Sequence, residues 1–213
     1  NPSDFQGHGT HVAGIAAAKG NNNLGVVGVC PNCRIMVIRA GYATTSGGSG
    51  SFSSTAITSA LHYAADNNAK IISMSFGDGG DSITMKNAVD YAYSKGLVLI
   101  AGAGNSNTNL EFYPAAYDNV IAVTATDSLD MKASFSNYGY WTDIAAPGVN
   151  ILSTALKTGI RIDPSGYRLA SGTSQATPYV SGLAGLILSK NPIWNQKEVK
   201  DILKLGSDII SDE

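Results

Sequence analysis

Two short runs of this chain, Leu97 to Ala101 and Val120 to Ala125, are apolar at nearly every position instead of at every second one, and Lys70 to Phe76 reads as a further strand with four apolar residues of seven. A strand with apolar side chains on both faces must be covered on both faces, which is the situation of a parallel sheet between two layers of helix. The intervals supply those helices. Ser54 to Asp66 is amphipathic, and Ser82 to Ser94 sets Ile83, Ala88, Val89 and Ala92 along one stripe. Arg34 to Arg39 reads as one further strand ahead of them. Right-handed crossovers between such elements give an α/β fold with a mainly parallel sheet. Functional residues in sheets of this kind collect outside the carboxyl ends of the strands, where this sequence places Gly77 to Gly80 and Gly102 to Gly104.

The rest of the composition narrows the partners. With 213 residues, 44% of them hydrophobic, the chain suffices for one domain with a substantial core, and residues 1–213 are read as such. Fourteen basic against sixteen acidic residues leave no basic tract to follow phosphates, so nucleic acid is not an expected partner. The apolar run around Leu183 to Leu188 is far shorter than the roughly 20 residues a membrane span requires, so no membrane partner is expected. No charged start, apolar stretch and cleavage site follow Asn1; a secreted precursor would have lost them. Cys30 and Cys33, spaced as Cys-Pro-Asn-Cys, are too few for a disulfide framework or a four-ligand zinc site. The reading favours two thiols in a turn over a short-loop disulfide.

Three segments carry chemistry. The first is Gly172-Thr173-Ser174-Gln175-Ala176-Thr177-Pro178, which opens a buried helix through Leu188. With Thr173 as N-cap, Ser174 falls in the first turn, where unpaired N–H groups and the helix dipole favour developing negative charge. Pro178 removes the N–H that would bond back to the Ser174 carbonyl. In isolation a serine capping a core helix is the simpler reading. The second segment is Gly7-His8-Gly9-Thr10-His11-Val12-Ala13-Gly14, opening a small-residue helix. His8, between glycines, has an accessible ring, and a neutral imidazole is the usual base for a serine hydroxyl. His11, one turn later, reads better as packed, as does His62 on its amphipathic helix. The third is Ala101-Gly102-Ala103-Gly104-Asn105, a strand running into a turn that leaves an amide at the sheet edge, able to bind an oxyanion or simply to form the turn.

In this order the three segments resemble the subtilisin-like serine proteases. The likeness extends to Tyr63-Ala64-Ala65-Asp66, Ala133-Ser134-Phe135-Ser136, Ala145-Ala146-Pro147-Gly148 and Leu186-Ile187-Leu188-Ser189-Lys190. It implies a three-layer fold and a secreted, monomeric endopeptidase that acts on polypeptides and folds with its own pro-segment. It implies Ser174 as nucleophile, His8 as general base and then acid, and Asn105 with the Ser174 backbone N–H as oxyanion hole. Substrate is expected to lie as an added strand between Gly48-Ser49-Gly50 and Ser75-Phe76-Gly77. The first specificity pocket is expected between Ser75 to Gly77 and Gly102-Ala103-Gly104, with Phe112 near its base, and to favour apolar residues before the cut. No cofactor is required for the chemistry. The loop Gly20-Asn21-Asn22-Asn23-Leu24-Gly25-Val26 resembles the family's calcium loop, with Gly20, Asn22, Leu24 and Val26 as ligands of a structural ion; the alternative is an ordinary Asn-rich turn.

The chain also departs from the pattern. The family's aspartate lies in an Asp-Ser/Thr-Gly turn ahead of the histidine, and no such tripeptide occurs in the 213 residues. Asp4 resembles a loop acid of the family and is not promoted to that role. The resemblance therefore implies a domain incomplete at both termini and poorly active alone, with a non-catalytic peptide-binding relative as the alternative. Gln175 stands where the family usually has Met, and Tyr179 where it usually has His.

Overall fold

The computed structural model describes residues 3–43 and 50–209. Helix α1 (His8–Ala17) leads to a hairpin of β1 (Gly41–Ala43) and β2 (Gly50–Phe52), then α2 (Ser54–Asp66), β3 (Ile71–Met74), α3 (Ile83–Ser94), β4 (Val98–Gly102) and β5 (Ile121–Thr126). The chain continues through β6 (Ile144–Pro147), the hairpin strands β7 (Ile151–Thr154) and β8 (Tyr167–Ala170), and helices α4 (Thr173–Lys190) and α5 (Gln196–Leu205).

Strands β3 to β6 form one parallel sheet in chain order, in register at Met74 with Ala101, Ala101 with Ala122, and Ala125 with Ala146. The continuous apolar runs have the expected cause. On β4, Leu99 and Ala101 enter one cluster with Ile57 and Leu61 of α2 and Val89 of α3. Val98 and Ile100 enter the other, with Ala176, Val180 and Ala184 of α4 and Val199 of α5. Each β4 side chain is thereby removed from water, worth about 1.5–3 kcal/mol for a Leu, Ile or Val. α1 lies beside α4, where a Cβ on Gly182 would stand 2.6 Å from Val29 Cβ and 3.0 Å from the Ala16 carbonyl, an approach open only to glycine.

Helix α2 spans the residues the pattern indicates, and Ser82 caps α3 by accepting the Met85 N–H. Three expectations fail. Arg34 to Arg39 forms no strand: among the described residues it has no ladder partner, and Ile35 and Val37 are 48% and 58% exposed. The cap of α4 is Gly172 at φ 154°, where a side chain would meet Gln175 Oε1 at 2.9 Å; Thr173 is the first helical residue. Cys30 and Cys33 are disulfide-bonded, their Cα atoms brought to 5.3 Å by a turn in which the Cys33 N–H donates to the Cys30 carbonyl.

Candidate active site

His8, Asn105 and Ser174 line one cleft of about 550 Å³ together with Arg161, Arg168, Ala170, Ser171, Gly172 and Gln175. Three different elements bring them there. Ser174 is the second residue of α4, Asn105 follows the carboxyl end of β4, and His8 is the first residue of α1.

The helix start at His8 is built by Asp4. One carboxylate oxygen accepts the N–H groups of Gln6 and Gly7, each at 2.9 Å, and the other accepts the Thr10 N–H at 2.8 Å and the Thr10 hydroxyl at 2.7 Å. Burial pushes the Asp4 carboxyl up, but these donors outweigh it and hold the group below the ordinary aspartate value. With both oxygens committed to capping, Asp4 is a structural acid and does not orient the His8 ring.

Asn105 is oriented by the backbone of α4. The Thr173 N–H donates to Asn105 Oδ1 at 2.8 Å. An N–H must be met by the amide oxygen, so the amide nitrogen is the atom left to donate into the cleft. Thr173 ties the same turn a second time, its hydroxyl accepting the Gly104 N–H at 3.1 Å. Behind them Asn137, 1% exposed, accepts from Ser106 N and donates to the Ala103 carbonyl, each at 2.8 Å. The motifs drew attention to the amide but not to these supports. Asn137 directly follows Ala133-Ser134-Phe135-Ser136, so its position was the available signal.

At Ser174 the missing proline N–H has a definite consequence. Pro178 lies inside α4 and offers nothing to the Ser174 carbonyl, which instead accepts the Ser75 hydroxyl at 3.0 Å. The Ser174 hydroxyl donates in turn to the Ser75 carbonyl at 3.2 Å, not to an imidazole nitrogen. For His8 to serve as its base, the Ser174 side chain must rotate. The Ser174 backbone N–H belongs to the first helical turn and has no carbonyl four residues back to meet.

The electrostatics favour a neutral imidazole. The His8 pKa is lowered from 6.5 to about 4, first by burial, then by the charges of Arg161, His11 and Arg168, with Asp4 acting in the opposite direction. Arg161 and Arg168 form no ion pair among the described residues. No motif pointed to either arginine; both come from the β7–β8 hairpin. His11 is buried with Nε2 3.1 Å from the Arg168 carbonyl, and His62 stacks on Tyr91 with ring centroids 4.6 Å apart, so both take the packed reading.

The groove residues are placed as follows. Gly48 and Ser49 lie outside the described residues. Gly50 opens β2, and the hairpin is held beside the end of β3 by Phe52 against Phe76, with centroids 4.9 Å apart. Ser75 to Gly77 follow the end of β3, Gly102 ends the adjacent strand β4 with Ala103 and Gly104 after it, and Phe112 lies against both Gly77 and Gly104. Gly20, Asn22, Leu24 and Val26 lie in a separate loop around a hollow of about 420 Å³, coiled by left-handed backbone at Asn21 (54°), Asn23 (57°) and Gly25 (34°). Its oxygens are neutral, and Asn22 Oδ1 accepts the Leu24 N–H at 3.1 Å, which leaves a lone pair for a cation. No cluster of three or more His, Cys, Asp or Glu occurs among the described residues. The donor set therefore fits part of a calcium shell, with the remaining oxygens to come from elsewhere.

Residues 1–207 match the family model described as the subtilase family. The chain is 47% identical over 211 residues to a thermophilic serine proteinase of Bacillus sp. (strain AK1), covering 99% of this chain and 49% of that protein. It is 45% identical over 189 residues to thermitase of Thermoactinomyces vulgaris, covering 89% of this chain and 63% of that protein. Among solved structures, a psychrophilic protease superposes with a TM-score of 0.82 at 35% identity, covering 95% of this chain and 70% of that one. The chain thus spans about half the length of the first of these relatives.

Proposed function

Because the chain belongs to the subtilase family, we propose that it is the body of a serine endopeptidase that cleaves polypeptides through an acyl-enzyme on Ser174. The observation that carries this reading is the Thr173 N–H bond to Asn105 Oδ1, which aims an amide donor at the cleft holding the Ser174 hydroxyl. In the first step the Ser174 Oγ bonds to the scissile carbonyl carbon, the C=O π pair moves to oxygen, and the hydroxyl proton passes to His8. Asn105 Nδ2 and the Ser174 N–H receive the oxyanion. Collapse expels the amine, which takes the proton from His8; water then repeats the sequence and frees Ser174.

A carboxylate is required to orient the imidazole, and its loss costs about 10⁴ in kcat. No Asp-Ser-Gly or Asp-Thr-Gly occurs in the 213 residues, so these residues by themselves turn over slowly. The same observation favours one second reading, a peptide-binding relative without turnover. Loop 20–26 is assigned as part of a structural calcium site, holding the loop and taking no part in the chemistry. The enzyme is assigned as secreted, on the habit of the family.

Asn105→Ala tests the carrying observation. It should lower kcat by about 10²–10³ with KM little changed, a magnitude established for this donor in subtilisin itself, a member of the same family, rather than derived from this geometry. A rise in KM at constant kcat would remove Asn105 from the oxyanion hole.

A further inference from the structure

Two guanidinium groups stand in the cleft of the nucleophile without a carboxylate beside them. Arg161 and Arg168 line the same hollow as His8 and Ser174, both are half-buried, and neither forms an ion pair among the described residues. The acids of the neighbourhood are engaged elsewhere. Asp4 is closed by the donors at the start of α1. Asp163, in the same hairpin as the arginines, accepts the Ser165 N–H at 2.8 Å and the Ser165 hydroxyl at 2.6 Å.

The main chain fixes where both arginines start. The Arg161 N–H donates to the Gln6 carbonyl at 3.3 Å and the Ile160 N–H to the Phe5 carbonyl at 3.1 Å, which lays this part of the hairpin along the segment leading into His8. A Cβ on Gly7 would stand 3.2 Å from Arg161 Cβ. Arg168 is paired with Ser153 on β8, and its carbonyl lies 3.1 Å from His11 Nε2. Arg168 and Ala170, two apart on one strand, share a face, and both line the cleft. Ser171 and Gly172 then lead directly into α4 and Ser174.

The acyl portion of a substrate is assigned to the gap between Ser75 to Gly77 and Gly102 to Gly104, and none of those residues lines this hollow. His8, which returns its proton to the departing amine, does line it. We propose that Arg161 and Arg168 form an anion-binding subsite for the leaving portion of the substrate, selecting chains with Asp or Glu in the first two residues after the cut. The proposal rests on the peptidase reading of the cleft. A guanidinium partly withdrawn from water gains when a carboxylate enters, and its planar fork presents parallel N–H donors to both carboxylate oxygens. The two positive charges also oppose protonation of His8. A substrate carboxylate offsets that field when the imidazolium forms, so the preference should appear in kcat as well as in KM.

The test uses the full-length protein and internally quenched peptides, amidated at the carboxyl end, that differ only in carrying Glu, Gln or Lys at the first or second position after the cut. The wild type should cleave the Glu peptide with kcat/KM about tenfold or more above its neutral isostere Gln, the order that one hydrogen bond to a charged group supplies, with Lys slowest. The preference should shrink as salt is raised to about 1 M. Arg161→Gln with Arg168→Gln should bring the Glu:Gln ratio close to one, and Arg161→Glu should favour Lys. Because each ratio is taken within one protein, a general change in rate cancels. Fluorophosphonate labelling of Ser174, measured in parallel, reports the nucleophile independently of the subsite. A labelled wild type that cleaves Glu and Gln peptides equally, or a Glu preference that survives in the double variant, overturns the subsite while leaving the peptidase standing. A Gln peptide that gains only when its carboxyl end is left free, with no gain from Glu, assigns the arginines to chain ends and overturns the selection of acidic side chains. A wild type that neither labels nor cleaves overturns the peptidase reading and the subsite with it. Should the double variant fail to fold, the wild-type series decides alone.

Discussion

Ser75 and Ser174 exchange hydrogen bonds, each hydroxyl donating to the other's carbonyl, at 3.0 Å from Ser75 and 3.2 Å from Ser174. The pair joins the end of β3 to the first turn of α4 at the carbonyl that Pro178 leaves without its helical donor. Proline at this place therefore costs α4 no satisfied carbonyl, because the sheet supplies the donor.

Ser75→Ala removes that donor and leaves the Ser174 carbonyl partly buried and unpaired. An unmet group of this kind costs about 1–3 kcal/mol. The melting temperature should fall and kcat should drop about tenfold, since the turn presenting the nucleophile loosens. Rescue by Ser75→Thr, which keeps the hydroxyl, distinguishes the hydrogen bond from simple packing. Unchanged kcat and melting temperature in Ser75→Ala would contradict the role.

The lowered His8 pKa makes a signed prediction. Protonation of His8, followed by NMR, should have its midpoint near 4 instead of the ordinary 6.5. Arg161→Ala removes the largest charge acting on the ring and should move the midpoint upward, while burial keeps it below the ordinary value. Because the folded pKa lies below the unfolded one, the unfolded chain binds this proton first. The contribution to stability is therefore fully present above about pH 6.5 and is lost as the pH falls toward 4. A midpoint at 6.5 that Arg161→Ala does not move would contradict this account of the ring's surroundings.

Much of this arrangement could be read from the residues, for identifiable reasons. Continuous apolar runs made β4 and β5 visible because both faces of the sheet are covered, and α2 was bounded by its amphipathic stripe. Arg34 to Arg39 misled because strand composition does not specify a strand partner. Thr173 looked like the cap of α4, but the chain enters that helix through a backbone region only glycine tolerates, which places the cap at Gly172. The state of Cys30 and Cys33 depends on a turn closed by one backbone hydrogen bond, which spacing alone does not reveal. Arg161 and Arg168 were invisible because their effect on His8 is made by proximity across the fold and carries no sequence signature.

Gln175 is buried at the cleft, directly after Ser174. An amide has no thioether sulfur to oxidise, so activity of the full-length enzyme should survive hydrogen peroxide at concentrations that inactivate its Gln175→Met variant. Equal loss of activity in the two proteins, measured as residual kcat/KM after treatment, would show that the sensitive atom lies elsewhere.

The central claim, that Ser174 is a nucleophile served by His8, is tested most directly by fluorophosphonate labelling of the full-length protein, with the modified residue located by peptide mass. The account predicts a single label on Ser174, absent from Ser174→Ala and strongly slowed in His8→Ala. A full-length protein that takes no label, or a label that persists in Ser174→Ala, would contradict it.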